Sequence, residues 1–199
     1  KTTIATLLYK TFSILGYKSG LISTIKYFVG NDEFPATHTT PDALQIQQLM
    51  AKMVDAGCEY CFMEVSSHAI DQDRISGIQF DGGIFTNLTH DHLDYHHTFA
   101  EYLKAKKKFF DNLPETAFAI TNVDDKNGMV MLQNTKANKQ TYSLRSLANF
   151  HCKILEKHFD GMLLNIDGQE VWIHFTGVFN ASNLLAVYGA TLLLGVDRE

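Results

Sequence analysis

The sequence predicts an α/β fold: a doubly wound, mostly parallel sheet, with a small antiparallel β segment near residues 140–176. Apolar runs of strand length alternate with stretches of helical period. One run, Tyr60 to Val65 (YCFMEV), is almost continuously apolar, as suits a central parallel strand covered on both faces. Past residue 140 the pattern turns to short strands, with Asp167-Gly168 as a hairpin dipeptide.

Taken in order, Lys1 to Leu15 reads as a helix with Ile4, Leu7, Leu8, Thr11 and Leu15 on one face and Gly16 as its stop. Gly20 to Lys26 reads as a strand, and Asn31 to Thr40 (NDEFPATHTT) as a polar loop. Pro41 opens a helix at its favoured first position. Ile46, Leu49, Met50, Met53 and Val54 form its buried face, and Gly57 closes it. The Tyr60–Val65 strand runs into Glu64-Val65-Ser66-Ser67-His68. A short strand at Ile84-Phe85 precedes a loop from Asn87 that packs His90, Asp91, His92, Asp94, His96 and His97 into eight positions. A lysine-rich helix follows, then a strand near Ala117 to Thr121 and a polar helix or turn after Asp124. Phe150–Phe159, Gly161–Ile166 and Glu170–Phe175 read as antiparallel strands, and Asn180–Leu194 as a last helix before Gly195.

Composition narrows the function classes. The 199 residues suffice for one sizeable α/β domain, and 45% apolar content is ordinary for a globular chain. A net charge of −5, with KAKKK as its one basic block, argues against a dedicated nucleic-acid binder. No run of 18 apolar residues occurs, so no membrane insertion is expected. Three cysteines suggest a reducing, cytoplasmic setting. Cys58 and Cys61 have CxxC spacing without a second pair, which favours the start of a buried strand over structural zinc. The chain opens on Lys1, inside what reads as a motif, and is therefore read as a piece of a longer protein.

Lys106 is the residue out of place. On a helical wheel Phe99, Tyr102, Leu103, Phe109, Phe110 and Leu113 all fall within about 60° of it, whereas Lys104, Lys107 and Lys108 face solvent. Either its stem snorkels with the amine at the core's edge, or the amine has a depressed pKa or is chemically modified. Lys1-Thr2-Thr3 is a second oddity, because a cation at a helix N-terminus opposes the macrodipole unless an anion binds there. Lys-Thr at a helix start is also the tail of a P-loop, whose glycines are not in this chain. Glu64, near the end of the Tyr60–Val65 strand, is a natural hard ligand for Mg²⁺. Glu64, the Asn87–His97 loop and Lys1-Thr2-Thr3 share the carboxyl ends of strands, where ligands bind in doubly wound sheets. A competing reading takes His90-x-His92-x-Asp94 as part of the HxHxDH signature of a zinc-dependent hydrolase. That signature needs histidine where Tyr95 stands, and it leaves Lys1-Thr2-Thr3 and Glu64 unexplained.

KTT, TTPDALQIQQLM, MEVSSHAIDQDR, FTNLTHDHLDYH with a lysine further on, and GVFNASNLLA, in that order, resemble the central ATP-binding domain of the Mur ligases. The likeness covers almost the whole chain and is nearest the UDP-N-acetylmuramoyl-tripeptide synthetase (MurE-type) branch. It implies one central domain over residues 1–199, a fragment without the uridine-binding and carboxyl-terminal domains. It implies an ATP- and Mg²⁺-dependent ligase that adds the third amino acid to UDP-N-acetylmuramoyl-L-alanyl-D-glutamate through an acyl phosphate, in peptidoglycan synthesis. Folylpolyglutamate synthase is the alternative within the superfamily. By the same resemblance, Lys1, Thr2 and Thr3 contact the phosphates and Asn180 and Asn183 the adenine side of ATP. Thr2, Glu64, His92 and Lys106, the last as a carbamate, hold the metal, and Lys1, Glu64, His92 and Lys106 carry catalysis. Thr39, Thr40, Ser66, Gln72 and Arg74 contact the UDP-sugar-dipeptide, and a free amino acid is the second substrate. His68, His90, His96 and His97 are read as structural or loop histidines.

Overall fold

The computed structural model describes residues 1–89 and 93–197. The chain forms two compact units, Lys1–Ile78 and Gln79–Glu199. The α/β class and the parallel strand pairing follow the sequence reading.

In the first unit, helix α1 (Thr2–Ile14) leads into β1 (Ser19–Ile22), β2 (Lys26–Val29) and β3 (Asp32–Pro35). Helix α2 (Ala43–Asp55), β4 (Tyr60–Met63) and the short α3 (Ser67–Asp71) complete it. The sheet order is β3-β2-β1-β4, with β1 and β4 parallel and the other pairs antiparallel. The expected loop from Asn31 is thus partly an edge strand. Gly30, at φ 57°, and Asn31 make the two-residue turn between Val29 and Asp32. The edge strand faces water, carries a Lys26–Glu33 ion pair and ends on Pro35, so its residues lack an apolar signal.

Helix α1 buries Ile4, Leu8, Tyr9 and Phe12, while the expected Leu15 is 48% exposed. Aromatic packing turns the helix this way: the Phe12 ring lies 4.5 Å from Tyr60 and 5.1 Å from Phe62. Helix α2 starts later than expected. Asp42, not Pro41, sets its start as N-cap, its carboxylate accepting from the Gln45 N–H at 2.9 Å. Its core face is Ile46, Leu49 and Met53, and Val54 points to solvent at 73% exposure. Gly57, at φ 76°, ends it. Burial pushes the Cys61 thiol up to about 12, with Cys58 adding to the rise. Cys61 therefore stays a protonated core thiol at neutral pH, as the strand reading requires.

The second unit runs β5 (Gly82–Phe85), α4 (Leu93–His96), α5 (Phe99–Asp111), β6 (Phe118–Asn122), α6 (Gly128–Met131) and β7 (Asn138–Ser143). Strands β8 (Phe150–Lys157), β9 (Met162–Ile166) and β10 (Gln169–Ile173) precede α7 (Val178–Leu193). The sheet order is β10-β9-β8-β7-β6-β5; β5 to β8 are parallel and β8 to β10 antiparallel. The antiparallel segment therefore begins at Phe150, because β7 pairs in parallel with both neighbours. The Asp167-Gly168 turn forms as expected, with φ of 50° and 89°. Helix α7 buries Ala181, Leu185, Ala186 and Ala190 and packs on β5 to β8. Phe85, Leu88, Tyr102, Phe110, Leu113 and Met131 build a core between α5, α6 and the sheet. Among the described residues, no helix is long and apolar enough to cross a membrane.

Candidate functional site

Strands β1 and β4 end side by side, Ile22 paired with Met63, and the Glu64 N–H donates to the Ile22 carbonyl at 2.9 Å. Glu64 is 3% exposed. One residue grips both of its carboxylate oxygens. The Thr24 N–H donates to Oε1 at 3.1 Å, and Thr24 Oγ1 lies 3.0 Å from Oε2. Thr24 Oγ1 also lies 3.1 Å from Thr39 Oγ1. A hydroxyl has one proton, and the carboxylate is the stronger acceptor. The Thr24 hydroxyl therefore faces two acceptors, Glu64 Oε2 and Thr39 Oγ1, and the carboxylate is the one it favours.

Thr40 stands behind this pair at 1% exposure. Its hydroxyl donates to the Glu64 carbonyl at 2.7 Å and accepts from the Ser66 N–H at 3.0 Å. Ser66 in turn caps α3, accepting from the Ala69 N–H at 3.1 Å. Arg74 donates through Nη1 to the Thr40 carbonyl and through Nε to Gln72 Oε1, both at 2.9 Å. Thr39, Thr40, Glu64, Ser66, Gln72 and Arg74 thus form one hydrogen-bonded network, with Thr24 as a member the sequence reading missed. Its one sequence signal is a hydroxyl residue two positions past a strand's carboxyl end.

Lys1 is the N-cap residue of α1; Lys1 and Thr3 are exposed and Thr2 is half-buried. Only Leu15 to Lys18 separate α1 from β1, so the helix runs back along the strand it packs on. Its N-terminus therefore lies toward the edge that carries Thr24 and Glu64. A helix start with a lysine beside it is suited to phosphate.

In the second unit Lys106 is buried, 9% exposed, with Nζ 5.2 Å from the centre of the Tyr102 ring. Lys104 and Lys108 are exposed, and Lys107 pairs with Asp111 at 2.5 Å. His96, 5% exposed, stacks on Tyr102 at 5.2 Å, which makes it a packed structural histidine. His90, Asp91 and His92 lie outside the described residues, as do the side chains of Leu93 and Asp94. The chain leading to them is pinned by residues at and just past the end of β6. Asn122 Nδ2 donates to the Thr86 carbonyl, and the Leu88 N–H donates to Asp125 Oδ2, both at 2.9 Å. Asn180 and Asn183 are half-buried near the start of α7. Gly177, at φ 88°, is the N-cap there, and Asn180 Nδ2 donates back to the Thr176 carbonyl at 2.7 Å.

Among the described residues no group of three or more His, Cys, Asp or Glu could hold a metal ion. A single buried carboxylate with hydroxyls nearby suits Mg²⁺, which takes one or two carboxylates together with phosphate oxygens and water. It suits zinc poorly, which wants three or four nitrogen or sulfur ligands. Each Glu64 oxygen accepts one bond from Thr24, which leaves coordinating capacity on both.

A family described as the Mur ligase middle domain matches residues 1–191. The UDP-N-acetylmuramoyl-L-alanyl-D-glutamate--2,6-diaminopimelate ligase of Parabacteroides distasonis is 66% identical over all 199 residues. The ligase of the same name from Bacteroides fragilis is 60% identical, again over the full chain. The chain spans 41% of the length of each. A solved structure of a ligase of that name superposes with a TM-score of 0.86 at 28% identity, over 99% of this chain and 42% of that one.

Proposed function

Because this chain belongs to the Mur ligase family, as a middle domain, we propose that it is the ATP-handling part of a cytoplasmic peptidoglycan ligase. In this reading the whole protein joins 2,6-diaminopimelate to UDP-N-acetylmuramoyl-L-alanyl-D-glutamate. The amino acid is taken from the names of the 66% and 60% identical relatives. Those names also favour the muramoyl-peptide branch over folylpolyglutamate synthase and over a zinc hydrolase. Residues 1–199 act as the central domain, and the uridine-binding and carboxyl-terminal domains lie in the rest of the protein.

The γ-phosphoryl of ATP passes to the substrate carboxylate with release of ADP, and the incoming amine attacks the acyl phosphate and expels phosphate. Such chemistry depends on positioning and charge neutralisation. Lys1 neutralises the β- and γ-phosphates, and the hydroxyls of Thr2 and Thr3 and the α1 N-terminus hold their oxygens. Asn180 and Asn183 bind the adenine side. Arg74, oriented by Gln72 and the Thr40 carbonyl, meets an anionic group of the UDP-sugar-dipeptide, with Thr39 and Ser66 beside it. Thr40 works from behind by fixing the backbone of Glu64 and Ser66. Thr2, Glu64, His92 and Lys106 as a carbamate would hold Mg²⁺, which would supply positive charge to offset that of the phosphates. The carbamate reading of Lys106 follows the resemblance, and the burial of this lysine inside an apolar helix face supports it.

The observation that carries this reading is Glu64, a buried carboxylate with spare lone pairs at the strand edge toward which the Lys1 helix points. The test is phosphate release by the native full-length protein. Release that requires ATP, the UDP-sugar-dipeptide and diaminopimelate together, with a tripeptide product, is expected. Diaminopimelate-independent hydrolysis of ATP, or no nucleotide binding, would overturn it.

A further inference from the structure

We propose that Thr24 is the positioning residue of Glu64, holding its carboxylate so that both oxygens present a lone pair to a divalent cation. The inference rests on the reading of Glu64 as a metal ligand.

Glu64 is 3% exposed, yet among the described residues no lysine, arginine or histidine forms an ion pair with it. Its direct side-chain partners are the N–H and hydroxyl of Thr24, both neutral. Two neutral donors under-compensate a buried anion. The remaining demand is for positive charge, and the unused lone pairs show where it would sit. One donor on each oxygen also stops the carboxylate from rotating about its last bond, so the ligand is oriented before the ion arrives.

The clamp is carried on a stiff support. Ser23 is 1% exposed, and its hydroxyl donates to the Lys26 carbonyl at 2.9 Å, closing the turn that holds Thr24. That turn joins β1 to β2, which pair directly through Ile22 and Tyr27. The Thr39 hydroxyl, 3.1 Å away, is a second acceptor beside Thr24 Oγ1, and the charged carboxylate is the stronger of the two. Thr24 itself is exposed, so its methyl and hydroxyl are not needed to fill a core.

The test titrates Mn²⁺ into the native full-length protein with a non-hydrolysable ATP analogue, read by electron paramagnetic resonance. Thr24→Val is expected to weaken Mn²⁺ binding about 10- to 100-fold, the usual effect of losing an outer-shell partner, while Thr24→Ser stays within about twofold of the parent. Glu64→Gln is the reference. If it leaves Mn²⁺ binding unchanged, the metal-ligand reading of Glu64 is wrong. If it weakens binding and Thr24→Val does not, the positioning role alone is wrong. Failure of the serine to restore binding overturns it too. Should the valine variant melt early, Thr24→Ala takes its place: weaker binding supports the clamp, and a parental value overturns it.

Discussion

Thr40→Val removes one hydroxyl and keeps the side chain's shape, so it isolates the bracket behind Glu64. The residue is 1% exposed, and the change opens no cavity. Two backbone groups lose their partner, the Glu64 carbonyl and the Ser66 N–H. Each unsatisfied buried group costs about 1–3 kcal/mol. Neighbouring groups relax together, so the sum expected is about 2–4 kcal/mol. At about 1.4 kcal/mol per tenfold, hydrogen-exchange protection of the Ser66 amide should fall by roughly thirty-fold to several hundred-fold. Exchange read by mass spectrometry on a peptide spanning residues 64–70 of the native protein measures this. A peptide covering Phe118–Asn122, in the other unit, serves as the control and should not change. Ser66 protection within about threefold of the parent would refute the reasoning. It would mean that the carbonyl and the N–H find other partners and that the bracket does not hold the strand end.

Three further outcomes follow from other parts of the molecule. Lys106→Ala should abolish ligation, with partial recovery on adding short carboxylates, and the parent should carry a carbamate mass at Lys106 that acidification removes; unimpaired activity defeats the carbamate assignment. Gly128→Ala would place a Cβ 2.0 Å from the Asn122 carbonyl oxygen, which is rigid backbone. A loss of about 1–3 kcal/mol in denaturant unfolding is expected, and an unchanged midpoint would contradict the close approach. Burial pushes the Tyr142 phenol up, partly offset by a hydrogen bond with Ser182 and reinforced by Asp124 and Asp125. The folded state then holds that proton more tightly than the unfolded chain does. Its contribution is complete below about pH 10, the unfolded value, and is lost as pH rises above it toward the folded value. Tyr142→Phe should flatten the fall in melting temperature on the alkaline side, although Tyr9 and Tyr60 are also raised and keep part of the slope. An identical slope in the variant counts against this.

What the sequence disclosed depended on contrast. Lys106 was legible because a charge within an apolar stripe violates the helical period, and the structure buries it as the wheel places it. Tyr60–Met63 was legible as a parallel strand because its run is apolar, although it ends its four-stranded sheet order instead of lying centrally and three of its four residues are half-buried. The edge strand Asp32–Pro35 was hidden for the opposite reason, since a strand that meets water looks like a loop. Its Gly30-Asn31 turn carried the only cue. The parallel pairing of Asn138–Ser143 was hidden because pairing direction is fixed by the neighbours a strand meets and leaves no trace in its own residues.

The same logic separates the site residues. Glu64 stands out as a carboxylate at the end of an apolar run. Thr24 and Asp125 do not, because a threonine and an aspartate after strands are what any turn would contain. Their distinction lies in what they reach: a carboxylate 40 positions on for Thr24, and a backbone N–H 37 positions back for Asp125. Long-range partners of this kind are set by which strand ends lie side by side, and single-residue chemistry cannot encode that. Residues that touch a ligand must differ chemically from their surroundings, so they leave a mark in the sequence. Residues that hold those groups in place need only an ordinary hydroxyl or carboxylate at the right strand end, and only the fold reveals them.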